Sequence, residues 1–439
     1  MRIHYFISLI LMSKLCAGSL DPVFLEQVRG DFDQEITALI QRTEPVERFS
    51  FENRADAILT MKKQGSIFES QVRASFQSRS GHLPAITNIW LADTLIVKAP
   101  ARIWKSFLES RPQIKITANH PVDFIKPIEE TSMQGNIDQA VTYGIAKINA
   151  DKVWRDFGVT GRGIRVGVID SGYAVHPDLD GKILASQDFT GETSGNEPND
   201  LLGHGTHCMG IIGGGNASGQ AIGTAPGVNF IVARIFGKKR ATLAIVLSAM
   251  QWIVDPDGDP QTNDGPHIIS NSWGSPAQTY LWEPTLRWKK LGILPIFAAG
   301  NQGPRKRTIA SPGGYPHLIA VGATDMTDNL GSFSSIGPSF YYRKSYTKPD
   351  ISAPGVDIFS SYIGGTGYRK WSGTSMATPF VSGTAALVME ANPNLSVYQV
   401  EKILLESAID LGVNGKDNYF GEGRVDAYEA VRRARASTN

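Results

Sequence analysis

Cysteine is almost missing from this chain: Cys16 and Cys208 are the only two in 439 residues. With Cys16 inside a segment that reads as a removable leader, Cys208 stands alone and no internal disulfide is expected, so stability has to come from core burial. Charge imbalance is missing as well, since 43 Lys and Arg face 42 Asp and Glu and the formal net charge is +1. That balance argues against a nucleic-acid partner, which would want a concentrated basic face. No apolar run reaches the ~18 residues needed to cross a membrane, and there are no repeats or low-complexity tracts. What is present is ordinary globular composition, 41% apolar and 19% charged, with room for one large domain and a smaller one.

The first residues read as a secretion signal over 1–19. Met1-Arg2-Ile3-His4 is a basic start, Tyr5 to Met12 an apolar core and Cys16-Ala17-Gly18-Ser19 a small-residue exit, the pattern of a cleaved leader. A buried N-terminal strand is the alternative. Lys14 and Leu15 before Cys16 do not suit lipidation. From Leu20 to about Ser80 the pattern is polar and helical. Beyond it, Ile89-Trp90-Leu91, Thr94–Val97 and Ile114–Thr117 predict strands, and Ala101–Ser110 an amphipathic helix: a small β-α-β unit over Ile86–Asn119. Pro121 to Gly135 reads as a linker.

From Asn136 the rhythm changes to strand, turn, helix. Short apolar, β-branched runs at Ile164–Ile169, Phe230–Ile235, His267–Ser270, Ile293–Phe297 and Leu318–Val321 predict strands covered on both faces. Helices are predicted at Leu243–Val254, Trp282–Leu291, Ser375–Glu390 and Val397–Ser407. Alternation of this kind implies an α/β fold, a doubly wound parallel sheet with helices on both faces.

Four segments of that region carry chemistry. Val166-Gly167-Val168-Ile169-Asp170-Ser171-Gly172 ends a strand on a carboxylate; Asp-Ser-Gly is by default only a turn. Gly203-His204-Gly205-Thr206-His207-Cys208 would put His204 in a helix's first turn. His204, His207 and Cys208 could instead be metal ligands, but the zincin pattern needs the second histidine at i+4 and a glutamate beside the first, and neither is present. Gly373-Thr374-Ser375-Met376-Ala377 puts Ser375 at the start of a long helix, where a serine is commonly just the N-cap. The same position offers free N–H groups and the positive end of the helix dipole. Ala299-Gly300-Asn301 follows a strand, and Asn-x-Gly there is by default a turn. A serine becomes a nucleophile only with a base in reach and donors for the oxyanion, so the four acquire meaning together. In an α/β-hydrolase the acid and histidine follow the serine. The last histidine here is His317, which excludes that fold. A His, Asp, Ser order of the chymotrypsin kind is disfavoured because Asp170 ends a strand of an open sheet.

In the order Asp, His, Asn, Ser, these blocks resemble the subtilisin family of serine proteases (subtilases), bacillopeptidase F-like members in particular, over roughly Asn136 to Asp426. The resemblance implies that Asp170 orients His204, that His204 is the general base and Ser375 the nucleophile, and that Asn301 supplies the oxyanion-hole donor. His207 is then a buried structural histidine. The match also extends to Ser272, Trp273 and Gly274 as the substrate-pairing segment, with Trp273 walling the pocket for the residue before the scissile bond. The second substrate-flanking stretch is Phe236–Arg240 with Lys238. Its three basic residues are either a solvated loop or a preference for acidic substrate residues. The same resemblance implies a precursor: signal peptide 1–19, propeptide 20–132 carrying a small α+β inhibitor-like unit, and peptidase domain 133–439. No cofactor is required for the chemistry. The loop Gly213–Ser218, where the family often holds structural calcium, offers one asparagine, Asn216, so calcium is unsupported there. Cys208 replaces the commoner valine, as in proteinase K-like members. The expectation is a secreted (extracellular or periplasmic) monomeric endopeptidase acting on protein or peptide substrates and inhibited by its own propeptide. The competing readings are a non-catalytic peptide-binding protein on the same fold, and a processing protease that cuts one partner.

Overall fold

The computed structural model describes residues 20–42, 53–109, 114–123, 125–129, 140–193, 200–276 and 278–437. The expected signal segment 1–19 and the expected propeptide boundary at 132–133 lie outside the described residues. The chain divides into two compact units, one built mainly from the chain up to Pro121 and the other from Val122 onward, with residues 242–251 and 258–263 grouped with the first.

The first unit is an antiparallel four-stranded sheet in the order Ala85–Ile89, Thr94–Pro100, Glu35–Arg42, Ile114–Ala118. Here the structure corrects the sequence reading. Glu35–Arg42 falls inside the stretch read as helical, yet it is a central strand, pairing Thr94–Pro100 on one side and Ile114–Ala118 on the other. Its polar ends hide an apolar middle, Ile36, Ala38, Leu39 and Ile40, that is fully buried. The helix that follows, Arg54–Ser80, starts on Asn53, whose side chain accepts from Asp56 N–H, and ends on Gly81 at φ 64°. Such a left-handed stop suits glycine. Phe24, Phe76, Trp104 and Phe107 fill the core, with Phe76 stacked on Phe107 at 4.0 Å and edge-on to Trp104.

The second unit is built on seven parallel strands ordered Ile351–Pro354, Ile319–Thr324, Leu294–Ala298, Ile268–Asn271, Arg165–Asp170, Asn229–Arg234, Ile183–Asp188. All five strands read from sequence are there, shifted by at most a few residues. The two that sequence did not show are the edges. Ile183–Asp188 is only half-buried and ends Ser-Gln-Asp, while Ile351–Pro354 has four residues and ends in a proline, a residue that sheets tolerate at edges. The helix Thr374–Ala391 is buried from Thr374 to Met389, so it is covered on every face because it runs through the core. Among the described residues no helix is long and apolar enough to cross a membrane.

Strand order reverses about Arg165–Asp170, which lies between Asn229–Arg234 and Ile268–Asn271. In open parallel sheets the crevice at such a reversal, outside the carboxyl ends of the strands, is where ligands bind.

Candidate active site

Asp170 is the last residue of its strand and is buried. Its Oδ1 accepts from Ser171 N–H at 2.7 Å, as a turn aspartate's would. The carboxylate does more than that, because Oδ1 and Oδ2 also lie 2.8 and 3.0 Å from His204 Nδ1. His204 is fully buried in the first turn of the helix His204–Gly213. Two glycines make that approach possible. Gly203 caps the helix at φ 80°. At Gly205 a Cβ would sit 2.1 Å from the Gly172 carbonyl oxygen, so only glycine lets the helix press against the loop that follows Asp170.

A second carboxylate, which sequence reading did not single out, fixes this helix start. Asp200 is buried; its Oδ1 accepts from Ser171 Oγ–H, Leu202 N–H and Gly203 N–H, and its Oδ2 from Thr206 N–H and Oγ1–H. Burial raises its pKa despite those donors. An aspartate just ahead of a glycine-led helix is a capping signal, and it could have been read from Asp200-Leu201-Leu202-Gly203.

Burial alone would press the His204 pKa down; the Asp170 carboxylate presses it up and prevails, so the imidazole titrates above its ordinary value. His207 goes the other way. Burial, with no carboxylate to offset it, takes it to about 3, and its neutral ring stacks on Trp371 while Nε2 lies 3.1 Å from the Arg369 carbonyl. It is a structural histidine, as the sequence suggested. Cys208, one helical turn after His204, places Sγ 3.9 Å from His204 Nδ1 and 3.5 Å from the Ser375 carbonyl oxygen. Burial pushes its thiol pKa up, which keeps it a thiol. Asp170, His204 and Cys208 bring ligand atoms close enough together to hold a metal, but each is already bonded as described.

Ser375 is the second residue of its helix, and Gly373 is the N-cap. The serine is therefore not spent on capping. Its hydroxyl lies 3.3 Å from the Ile125 carbonyl oxygen and 3.2 Å from that of Ser272, and Ser272 Oγ–H in turn donates to the Ser375 carbonyl at 2.9 Å. Asn301 sits opposite. Its Oδ1 accepts from Thr374 N–H and Oγ1–H, both at 2.9 Å, which turns its amide N–H outward to donate to the Lys126 carbonyl at 3.0 Å.

Of the substrate-segment residues, Ser272 and Gly274 face this site but Trp273 does not. Its indole is fully buried and packs edge-to-face with Phe297, ring centroids 5.4 Å apart, because successive side chains of extended backbone point to opposite sides. The wall is Gly274, which with Ser275, Gln302, Ile309, Ala310 and Ile125 lines a cavity of about 380 Å³. Lys238 also differs from expectation. Its side chain is exposed and its N–H donates to Glu192; the basic residue that meets the segment ahead of Ile125 is Arg240, paired with Asp123. In the loop Gly213–Ser218, Gly215 and Ala217 donate N–H groups to Asp178. Asp178 Oδ2 accepts from Tyr368 Oη–H and Asn216 is exposed.

Residues 161–423 match the model of the subtilase family (peptidase S8). The serine protease AprX of Bacillus subtilis is 38% identical over 304 residues, 62% of this chain and 67% of that protein. Subtilisin BL of Lederbergia lenta is 35% identical over 297 residues, covering 67% of this chain and all of that one. Bacillopeptidase F of B. subtilis is 32% identical over 389 residues, 81% of this chain but only 27% of the relative.

Proposed function

Because this chain belongs to the subtilase family and is a serine endopeptidase, we propose that Asp170, His204 and Ser375 carry its chemistry and that it is made as a secreted, self-processing precursor. Ser375 Oγ attacks the carbonyl carbon of a peptide bond, and His204 takes the hydroxyl proton and returns it to the leaving nitrogen. Asp170 holds the imidazole in the right tautomer and stabilises its charged form. Asn301 and the N–H groups at the start of the Thr374–Ala391 helix receive the oxyanion. Water then hydrolyses the acyl-enzyme. No cofactor takes part. The single observation that carries this reading is the buried Asp170–His204 pair at 2.8 Å, with Cys208 on the same helix reaching both His204 and the carbonyl of Ser375, a helix-start serine that is free of capping duty.

The test is the pH dependence of peptide hydrolysis. Only neutral His204 can accept the proton. With its pKa raised, kcat/KM should climb through a midpoint above pH 6.5 and fall about tenfold per unit below it. A limb centred below 6.5 counts against His204 as the base. Asn301→Ala should lower kcat about 10²–10³-fold with little change in KM, a scale set by the equivalent loss in the related subtilisin. An equal loss in KM would mean that the amide binds substrate and not the oxyanion. Cys208→Ala should stay active and lose the sensitivity to mercurials that crowding of His204 confers. An inactive, well-folded alanine variant would give the thiol a role beyond packing.

Export rests on the basic and apolar run from Met1 to Met12. The inhibitor role of residues 20–132 is supported by Ile125–Glu129, which meets Ser375 and Asn301 and pairs Ile128 and Glu129 with Ser372 and Trp371 as an added strand. Main-chain pairing of this kind is a general route to peptide affinity. A parallel sheet of distant segments also folds slowly, so a chain beginning at Gly135 should refold poorly, and residues 20–132 added in trans should inhibit the mature enzyme. Efficient refolding without that segment, together with no inhibition in trans, would remove the propeptide from this account. The proposed state is a monomer.

A further inference from the structure

We propose that the segment at the catalytic groups marks the Ile125–Lys126 bond as the one this protein cuts in itself, which puts the first cut at 125–126 and not at the 132–133 boundary expected from sequence, and that Arg240 selects substrates with an acidic side chain two residues before the attacked carbonyl. This rests on the protease reading above. Two carbonyls compete for the machinery, since the Ser375 hydroxyl lies on Ile125 O and the Asn301 amide on Lys126 O. Three observations favour Ile125. The nucleophile itself is at that carbonyl. The Ile125 side chain is buried and packs on Ala298 and Ala310 beside Gly274, an apolar slot that a lysine would fill poorly. Finally, the bond after Lys126 leads into Pro127, whose ring replaces the N–H and crowds the preceding residue.

Gly274 leaves the room for that slot, because a Cβ there would come within 2.9 Å of Ala310 Cβ and 3.0 Å of the Ser311 carbonyl oxygen. Two residues earlier, Asp123 receives a forked pair from Arg240, Nε to Oδ1 at 2.8 Å and Nη2 to Oδ2 at 2.7 Å. A guanidinium fork matches a carboxylate in plane and spacing, which a neutral amide cannot reproduce. Both groups are exposed, so the preference is modest: about 2–5-fold in kcat/KM.

The step balances as ordinary hydrolysis. The Ser375 Oγ–C bond to Ile125 forms, the Ile125–Lys126 C–N bond breaks, and the Lys126 nitrogen leaves with the proton from His204. Water then frees the Ile125 carboxyl. The Asn301 amide meanwhile has to move by one carbonyl from where it rests, so the seated segment is held one adjustment short of reaction.

The test uses the full-length wild type and Arg240→Glu. Intact mass and N-terminal sequencing of the self-processed wild type should give Lys126 as the new first residue, whereas a chain beginning at Pro127 or elsewhere overturns the assignment. Fluorogenic peptides carrying Asp, Asn or Lys before the pair Phe-Ile should show Asp favoured over Asn by the wild type. Arg240→Glu should reverse the order to favour Lys. Equal ratios in the two enzymes, with both active on casein, overturn the Arg240 inference alone. A wild type inactive on casein would instead bring down the protease reading on which it stands.

Discussion

Ser375→Ala is expected to reduce hydrolysis of casein and small peptides by about 10⁶-fold, the scale of the same loss in the related subtilisin, while the chain still folds. The oxygen removed lies at 3.2–3.3 Å from two carbonyl oxygens, those of Ser272 and Ile125, and caps nothing, so the helix keeps its start at Gly373. The same variant should stay a full-length precursor under conditions in which the wild type is shortened. Both outcomes are read from one expression experiment by mass and by activity. An alanine variant that turns over at the wild-type rate refutes the nucleophile assignment, and one that is inactive yet still shortened moves processing to another protease.

Asp170→Asn is the second large effect, expected at about 10⁴-fold in kcat/KM. In the wild type both carboxylate oxygens face His204 Nδ1. An amide there can present its N–H instead and select the wrong imidazole tautomer. The pH profile should move too. Burial presses the His204 pKa down and the Asp170 carboxylate is the largest influence holding it up, with Cys208 adding to it, so the rising limb of the residual activity should shift to lower pH. An unshifted limb would mean that Asp170 does not set the charge of His204.

Much of this was legible in the sequence, for reasons that differ from residue to residue. Asp170, His204, Asn301 and Ser375 stood out because nucleophilic catalysis needs those residue types, and each follows a strand or opens a helix that the apolar pattern marks. The five inner strands showed because burial on both faces leaves continuous β-branched runs. The edge strands did not, being half polar or very short. Glu35–Arg42 was lost for a related reason, since its buried middle is flanked by charge and lies between the helices Pro22–Arg29 and Arg54–Ser80. Trp273 was placed at the pocket wall by the family resemblance, whereas alternation along the extended backbone turns the indole into the core. Lys238 and Arg240 are indistinguishable in a basic run until the fold sets Arg240 on Asp123. Asp200 was readable as a cap from Asp200-Leu201-Leu202-Gly203, since four of its five donors are local, whereas its bond from Ser171 is set by the fold.

The most direct measurement of the central claim is covalent labelling of the active wild-type protein with a fluorophosphonate, followed by peptide mapping. Reaction requires a serine hydroxyl that has been activated by its neighbours, so the label reports the nucleophile itself and not merely the loss of a residue. The account predicts one adduct, on Ser375, forming in step with loss of activity and growing faster as pH rises through the His204 titration. An adduct on another residue, or loss of activity with Ser375 unlabelled, would contradict it.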